Sequence, residues 1–173
     1  MDLQSGLAAA LSLNQSLFVD KALEGLTDED LVKRPSDQTN PIGWILWHQF
    51  RVEDAILSRI SGKNQVWIEA RWHEKFGMEA DPSQVGGGDT LERVAAFKPS
   101  LAPLKGYAAA VREQTLRTLP SLTDEDLARE HPGPRGIPRK AAEMLGILMV
   151  DHLHHSGQIC YLRGYITPGW SPI

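Results

Sequence analysis

Five consecutive residues, Asp151-His152-Leu153-His154-His155, interrupt an otherwise apolar stretch running from Met144 to Gly164. Four of the five side chains can ionise or bind a metal. On a helix, residues four apart lie one turn apart on the same face, so Asp151 and His155 converge on one spot. His152 and His154 are rotated from Asp151 by roughly 100 and 300 degrees and point elsewhere. The spacing therefore predicts a metal held by Asp151 and His155. The alternative pairing, His152 with His155 three residues apart, would leave Asp151 outside the site. An aspartate in the middle of an apolar helix needs a cation or several donors, because an unpaired buried carboxylate is very costly. If no metal supplies that charge, Arg51 could, in a purely structural ion pair.

A third ligand has to come from another element. Asn40-Pro41 reads as the N-cap and first residue of a long helix, since proline at that point gives up an N–H that would be unpaired anyway. This helix runs to about Ser61, before Gly62. Ile45, His48, Val52 and Ile56 form one stripe at spacings of three and four, so His48 stands on a core-facing surface and needs a partner there. Joining His48 to Asp151 and His155 gives two imidazoles and a carboxylate, a set suited to zinc, nickel, iron or manganese. Three protein ligands leave positions open for water or substrate, which is the form of a catalytic site.

The remaining elements are those that must hold these residues together. Residues 3 to 25 are rich in Leu and Ala, with Leu7, Leu11, Leu17 and Leu23 at roughly helical intervals. Leu101 to Leu119 forms another helix, with Leu104, Ala108, Val111, Thr115 and Leu119 on its apolar face and Pro120 at its end. The last helix extends from about Lys140 to Gly164, after a loop from His131 to Pro138. Between the second and third long helices, residues 62 to 100 make an extended excursion with short helical pieces, one of them opened by Asp89-Thr90-Leu91-Glu92. Gly86-Gly87-Gly88 lacks the lysine and the preceding strand of a phosphate-binding loop and reads as a hinge. Strand-like alternation occurs only at Gln65 to Ile68. The hexapeptide Leu26 to Leu31, LTDEDL, recurs as Leu122 to Leu127, each time after a long helix, so the chain reads as two helix pairs with matching connections. The expected architecture is all-α: a four-helix bundle with a long link between its second and third helices.

Composition narrows the function classes. With 173 residues, the chain suits a single domain spanning 1–173, and a fold of that size buries roughly 70% of its unfolded surface. A hydrophobic fraction of 42% is ordinary for a globular protein, and a net charge of -4 leaves no electrostatic footprint for nucleic acid. No apolar run is long enough to span a bilayer. Cys160 is alone, and the amino terminus lacks the zones of a signal peptide, so a cytoplasmic location is expected. Five tryptophans and unpaired apolar faces point to a homodimer.

Several segments resemble the DinB-like superfamily. Trp47-His48-Gln49-Phe50-Arg51-Val52-Glu53-Asp54 is similar to its second-helix motif, His154-His155-Ser156-Gly157-Gln158 to the HHRGQ ending of its fourth helix, and Thr90 to Pro99, TLERVAAFKP, to its run into the third helix. The resemblance covers most of the chain and implies a four-helix bundle with metal ligands at His48, Asp151 and His155. Asp151 stands where the family usually has histidine, which shifts preference toward harder ions, and Ser156 replaces an arginine. The family includes bacterial thiol S-transferases and mycothiol-dependent maleylpyruvate isomerase. It implies a metal-dependent transferase or hydrolase that acts on a small molecule through a metal-activated thiol or water, with zinc or nickel as the expected ion and a low-molecular-weight thiol as an expected partner. Arg51 is the candidate catalytic contact, and Glu53 and His73 read as ordinary ion-paired or exposed residues. The alternatives are a non-catalytic metal- or small-ligand-binding bundle and a structural dimer whose polar cluster is only an ion-pair network.

Overall fold

The computed structural model describes residues 2–133 and 136–172, and its frame is four long helical arms. The first arm is α1 (Leu3–Asn14), a π turn (Gln15–Val19) and α2 (Asp20–Leu23). Its buried residues are Leu11, Asn14, Val19, Ala22 and Leu23. The step of five from Asn14 to Val19 is the π repeat, and it rephases the helix so that both halves face the core. Leu17, expected on the apolar face, is turned outward and is 44% exposed for the same reason.

The second arm, α3 (Ile42–Ser61), has Pro41 as its N-cap in place of the expected Asn40. It is the central helix, buried on nearly every side and packed against both α7 (Leu101–Thr118) and α9 (Ala141–Ile166). A helix so enclosed must find partners for each polar residue it carries. The outer arm α1 packs on α9 and meets the 3-10 turn Leu119–Ser121 that follows α7.

The link between α3 and α7 carries α4 (Val66–Glu69), α5 (Trp72–Lys75) and α6 (Leu91–Ala96). Helix rather than strand forms at α4 because the Asp54 carboxylate accepts the backbone N–H groups of Val66 and Trp67 at 2.9 and 2.8 Å, pairing the donors that a helix start leaves open. The two LTDEDL segments build the same device. Thr27 with Asp30, and Thr123 with Asp126, exchange side-chain and backbone hydrogen bonds, while Leu26 and Leu31, or Leu122 and Leu127, enter the core on either side. The first leads into a 3-10 turn (Asp30–Val32) and the second into α8 (Asp124–Ala128). After α8 the expected loop is partly a hairpin, β1 (Glu130–Pro132) paired antiparallel with β2 (Pro138–Lys140). Gly133 donates to Ile137 O at 3.0 Å and closes it, and Arg59 of α3 donates to Pro132 O at 2.9 Å and ties it to the bundle. Pro134 and Arg135 of that expected loop lie outside the described residues.

Two apolar clusters fill the interior. One gathers Val19, Trp47, Phe50, Trp67, Tyr107, Val111 and Ile159; the other gathers Leu11, Ile56, Leu57, Leu119, Met144 and Leu148. A layer of buried polar side chains separates them. Arg112 of α7 makes a two-pronged pair with Glu53 of α3, at 3.1 and 3.0 Å. Glu53 also lies 2.9 Å from Nε2 of His152 on α9, whose Nδ1 is 2.6 Å from the Gln49 amide nitrogen. Gln49 in turn reaches Ser156, and Asn14 of α1 donates to the Ser156 hydroxyl at 2.7 Å. One chain of contacts thus crosses all four long arms. Burial alone would push the Glu53 carboxyl up, but His152 and Arg112 outweigh it and hold its pKa at about 2.

Replacing Glu53 with Gln leaves the Arg112 charge buried without its counter-ion. We expect a loss of about 3–5 kcal/mol in unfolding free energy, measured by urea denaturation.

Candidate metal centre

Along α9 the buried residues Leu148, His152, Ser156 and Ile159 form the core stripe. Asp151 and His155 each precede one of these by a single residue, about 100 degrees round the helix, which sets them at the border of core and solvent. On α3, His48 precedes the buried Gln49 and takes the facing border position. The three side chains are 13% (His48), 20% (Asp151) and 15% (His155) exposed. His155 Nε2 lies 3.5 Å and His48 Nε2 4.0 Å from Asp151 Oδ1, and one donor atom from each residue falls within 4.8 Å of the others. The group could hold a metal ion.

Both imidazoles are oriented by contacts on the far side of the ring. His48 Nδ1 meets the carbonyl oxygen of Val85, and its ring stacks on Trp44 with centroids 4.9 Å apart and planes 8° from parallel. His155 Nδ1 donates to Gln158 Oε1 at 2.8 Å, and the Gln158 amide donates to His154 Nε2 at 2.8 Å. With the proton of each neutral ring fixed on Nδ1, both Nε2 lone pairs face Asp151. Asp151 Oδ2 is itself buried without a hydrogen-bond partner among the described residues. In the neutral form these converging lone pairs repel one another, so the cluster calls for a cation, either a proton on His155 or a metal ion in its place. This donor set fits a divalent metal.

The triglycine stretch supplies part of this support. Gly86 has φ of +87°, and a Cβ there would come within 2.8 Å of Trp44 and Trp47 and 3.1 Å of His48 Nδ1. Only glycine lets the backbone pass close enough for Val85 O to reach His48. Asp89 pins the same segment, accepting from Trp44 Nε1 at 3.0 Å and from the Gln84 amide at 3.1 Å. The stretch is therefore a fixed wall of the site where the sequence suggested a hinge.

Arg51 is engaged elsewhere. Its guanidinium is fully buried against the α3–α7 link, donating to the carbonyl oxygens of Gln84, Asp81 and Pro82, to Gln65 and to Tyr107, at 3.0 to 3.4 Å. Its carboxylate partner is Asp54, at 3.5 Å, so the alternative pair with Asp151 does not form. All five N–H donors have acceptors, and by fixing the link Arg51 helps to present Val85 to His48. His152 is fully buried and faces Glu53, outside the cluster. Glu53, read from sequence as an ordinary paired residue, is the central acceptor of the polar layer. His73 packs edge-on to Trp67, with ring centroids 6.3 Å apart. Sequence reasoning did not assign the supporting roles of Val85, Gly86, Asn14 and Gln158; Gln158 alone carried a signal, as the last residue of the HHSGQ segment.

Substituting Gly86 with Ala forces a side chain into the Trp44, Trp47 and His48 rings at a left-handed backbone position. We expect a loss of about 1–3 kcal/mol in stability and a weakening of metal affinity of about 10–100-fold, measured by thermal denaturation and chelator competition.

No functionally curated protein matches the chain in sequence. The fold is shared with the crystal structure of a conserved protein from Enterococcus faecalis, which superposes with a TM-score of 0.83 at 22% identity, over 96% of this chain and 98% of that one. The family model of the DinB superfamily matches residues 18–159, which takes in the whole of α3 and both α9 residues of the triad. By that match the chain belongs to the DinB superfamily.

Proposed function

We propose that this protein is a metal-dependent enzyme, a thiol S-transferase or hydrolase, whose divalent cation is held by His48, Asp151 and His155. The observation that carries the reading is the convergence of two Nε2 lone pairs and a carboxylate, each imidazole locked from behind by a hydrogen bond. A cation bound there would act as a Lewis acid, lowering the pKa of a water or thiol so that it attacks a small electrophile near neutral pH. Trp44 shields one face of His48 from water, and Val85 and Gln158 prevent either ring from turning its lone pair away. Zinc and nickel suit the two imidazoles, and the carboxylate widens the choice toward iron and manganese. Among the described residues no helix is long and apolar enough to cross a membrane. The free Cys160 fits a reducing, cytoplasmic setting. Exposed Leu153 and Tyr161 on α9, with Leu13 on α1, support a homodimer.

Metal uptake will depend on pH in a direction set by His155. Burial pulls its pKa down, but the hydrogen bond and charge of Asp151, with the bond to Gln158, outweigh burial and raise it above the ordinary 6.5. In His48 burial dominates and lowers it. A raised folded-state pKa means that the metal-free chain gains stability from protonated His155, full below pH 6.5 and lost as pH rises through the folded value. A metal needs that ring neutral and must displace its proton. Affinity measured by chelator competition should therefore climb with pH and level off above the raised pKa of His155.

The enzymatic reading is tested with metal-loaded protein, panels of thiols with electrophiles and panels of esters and amides, and the variant His48→Ala. Metal-dependent turnover that disappears with His48→Ala, together with metal loss in elemental analysis, is the expected result. Stoichiometric metal with no turnover on any panel leaves a binding protein, and absence of metal at full stability in chelator removes the site altogether.

A further inference from the structure

A groove of about 730 Å³ runs along the solvent side of α9 and ends at Asp151 and His155. Whatever reaches a cation on the triad from that side passes through it. Its floor is apolar, formed by Ile147 and Val150, with Gly146 leaving the middle open: a Cβ at Gly146 would meet no atom within 4 Å. At the far end stands Arg139 of β2.

Arg139 is held in place from behind. Its side-chain stem lies over Gly133, where a Cβ would come within 2.7 Å of Arg139 Cγ, so the hairpin needs glycine at that point for the stem to cross. No hydrogen bond or ion pair engages its guanidinium among the described residues. Glu143, in the same groove, has one oxygen committed to the backbone N–H of Lys140 at 2.9 Å as the cap of α9. A guanidinium on an anchored stem, unpaired among the described residues and at the end of an apolar floor, matches a carboxylate on an elongated ligand. Ala141 and Asp151 are about 15 Å apart along the helix, so a short anion cannot touch both ends.

We propose that the groove selects elongated anionic substrates, with a carboxylate seated on Arg139, an apolar middle over Ile147 and Val150, and the reactive end delivered to the triad. This rests on the reading of the triad as a metal centre and names the substrate class for that centre. No contact between Arg139 and the ligands is involved, so its role is specificity and not metal binding.

The test uses the full-length protein loaded with cobalt(II), whose sulfur-to-cobalt charge-transfer absorption reports a thiol that has released its proton to solvent and occupied the open position. Mercaptoundecanoate and mercaptoundecanol, whose chains match that span, are compared at low ionic strength, with mercaptoethanol as a probe too short to fill the groove. Mercaptoundecanoate should bind about tenfold more tightly than mercaptoundecanol. In Arg139→Gln that ratio should fall to near one while mercaptoundecanol affinity is kept. Gly146→Leu, which fills the groove and favours the helix, should weaken both long thiols and leave mercaptoethanol unchanged. Equal affinity of the two long thiols in the unmodified protein, or a ratio unchanged by Arg139→Gln, overturns the anionic selection and leaves the metal centre standing. Failure to take up cobalt, or cobalt uptake with no charge-transfer band for any thiol, overturns the thiol-activating centre beneath it.

Discussion

The ion pair between Glu53 and Arg112, extended through His152, Gln49 and Ser156 to Asn14, is the constraint on which the rest of the bundle depends. Apolar clusters above and below it are permissive, because a leucine packs nearly as well after a helix slides or turns by a fraction of a residue. Charged and hydrogen-bonded groups deep in the core are not. A shift that separated Glu53 from Arg112 or His152 would strand a buried charge, at a cost comparable to a large part of a domain's net stability. The layer therefore fixes the height and rotation of four helices against one another.

The geometry of the candidate metal centre follows from that register. His48 is the neighbour of Gln49, and Asp151 and His155 are the neighbours of His152 and Ser156, so the residues of the inner layer and of the border cluster alternate along the same two helices. Locking Gln49 to His152 places His48 opposite Asp151 and His155 with the lone pairs converging. Ser156 of the HHSGQ segment faces the core in the same frame, and its hydroxyl oxygen accepts from both Gln49 and Asn14, joining α3 and α9 to the first arm.

A second support comes from the long link, which sequence patterning describes only as an excursion. Arg51 and Asp54, three residues apart on α3, gather it: one binds carbonyl oxygens at Asp81, Pro82 and Gln84, the other caps α4. The reward is local order at Val85 and Gly86, which back the His48 ring. Residues of the WHQFRVED segment thus work in different directions from one helix, toward the His48, Asp151 and His155 cluster, the polar layer, the link and the core. A helix buried on nearly every side makes such a division possible.

The sequence by itself determined the all-helical class, the extents of α7 and α9 to within about two residues, the matching connections at the two LTDEDL segments, and His48 and His155 as members of the candidate cluster. These are legible because helical periodicity and capping chemistry are local, and because a carboxylate amid apolar residues is anomalous wherever it occurs. The tertiary structure alone decided between His152 and Asp151 as partner of His155, since spacing allows both and only the position of Glu53 turns His152 inward. It assigned Arg51 to the link, made helix of the strand-like alternation at Gln65 to Ile68 through a carboxylate twelve residues upstream of Val66, and made a wall of a glycine run. It also placed a π turn in the first arm that no pattern of leucines announced. For His152, Arg51, Asp54 and Gly86 the deciding contact joins residues far apart in the chain, and no local rule contains it.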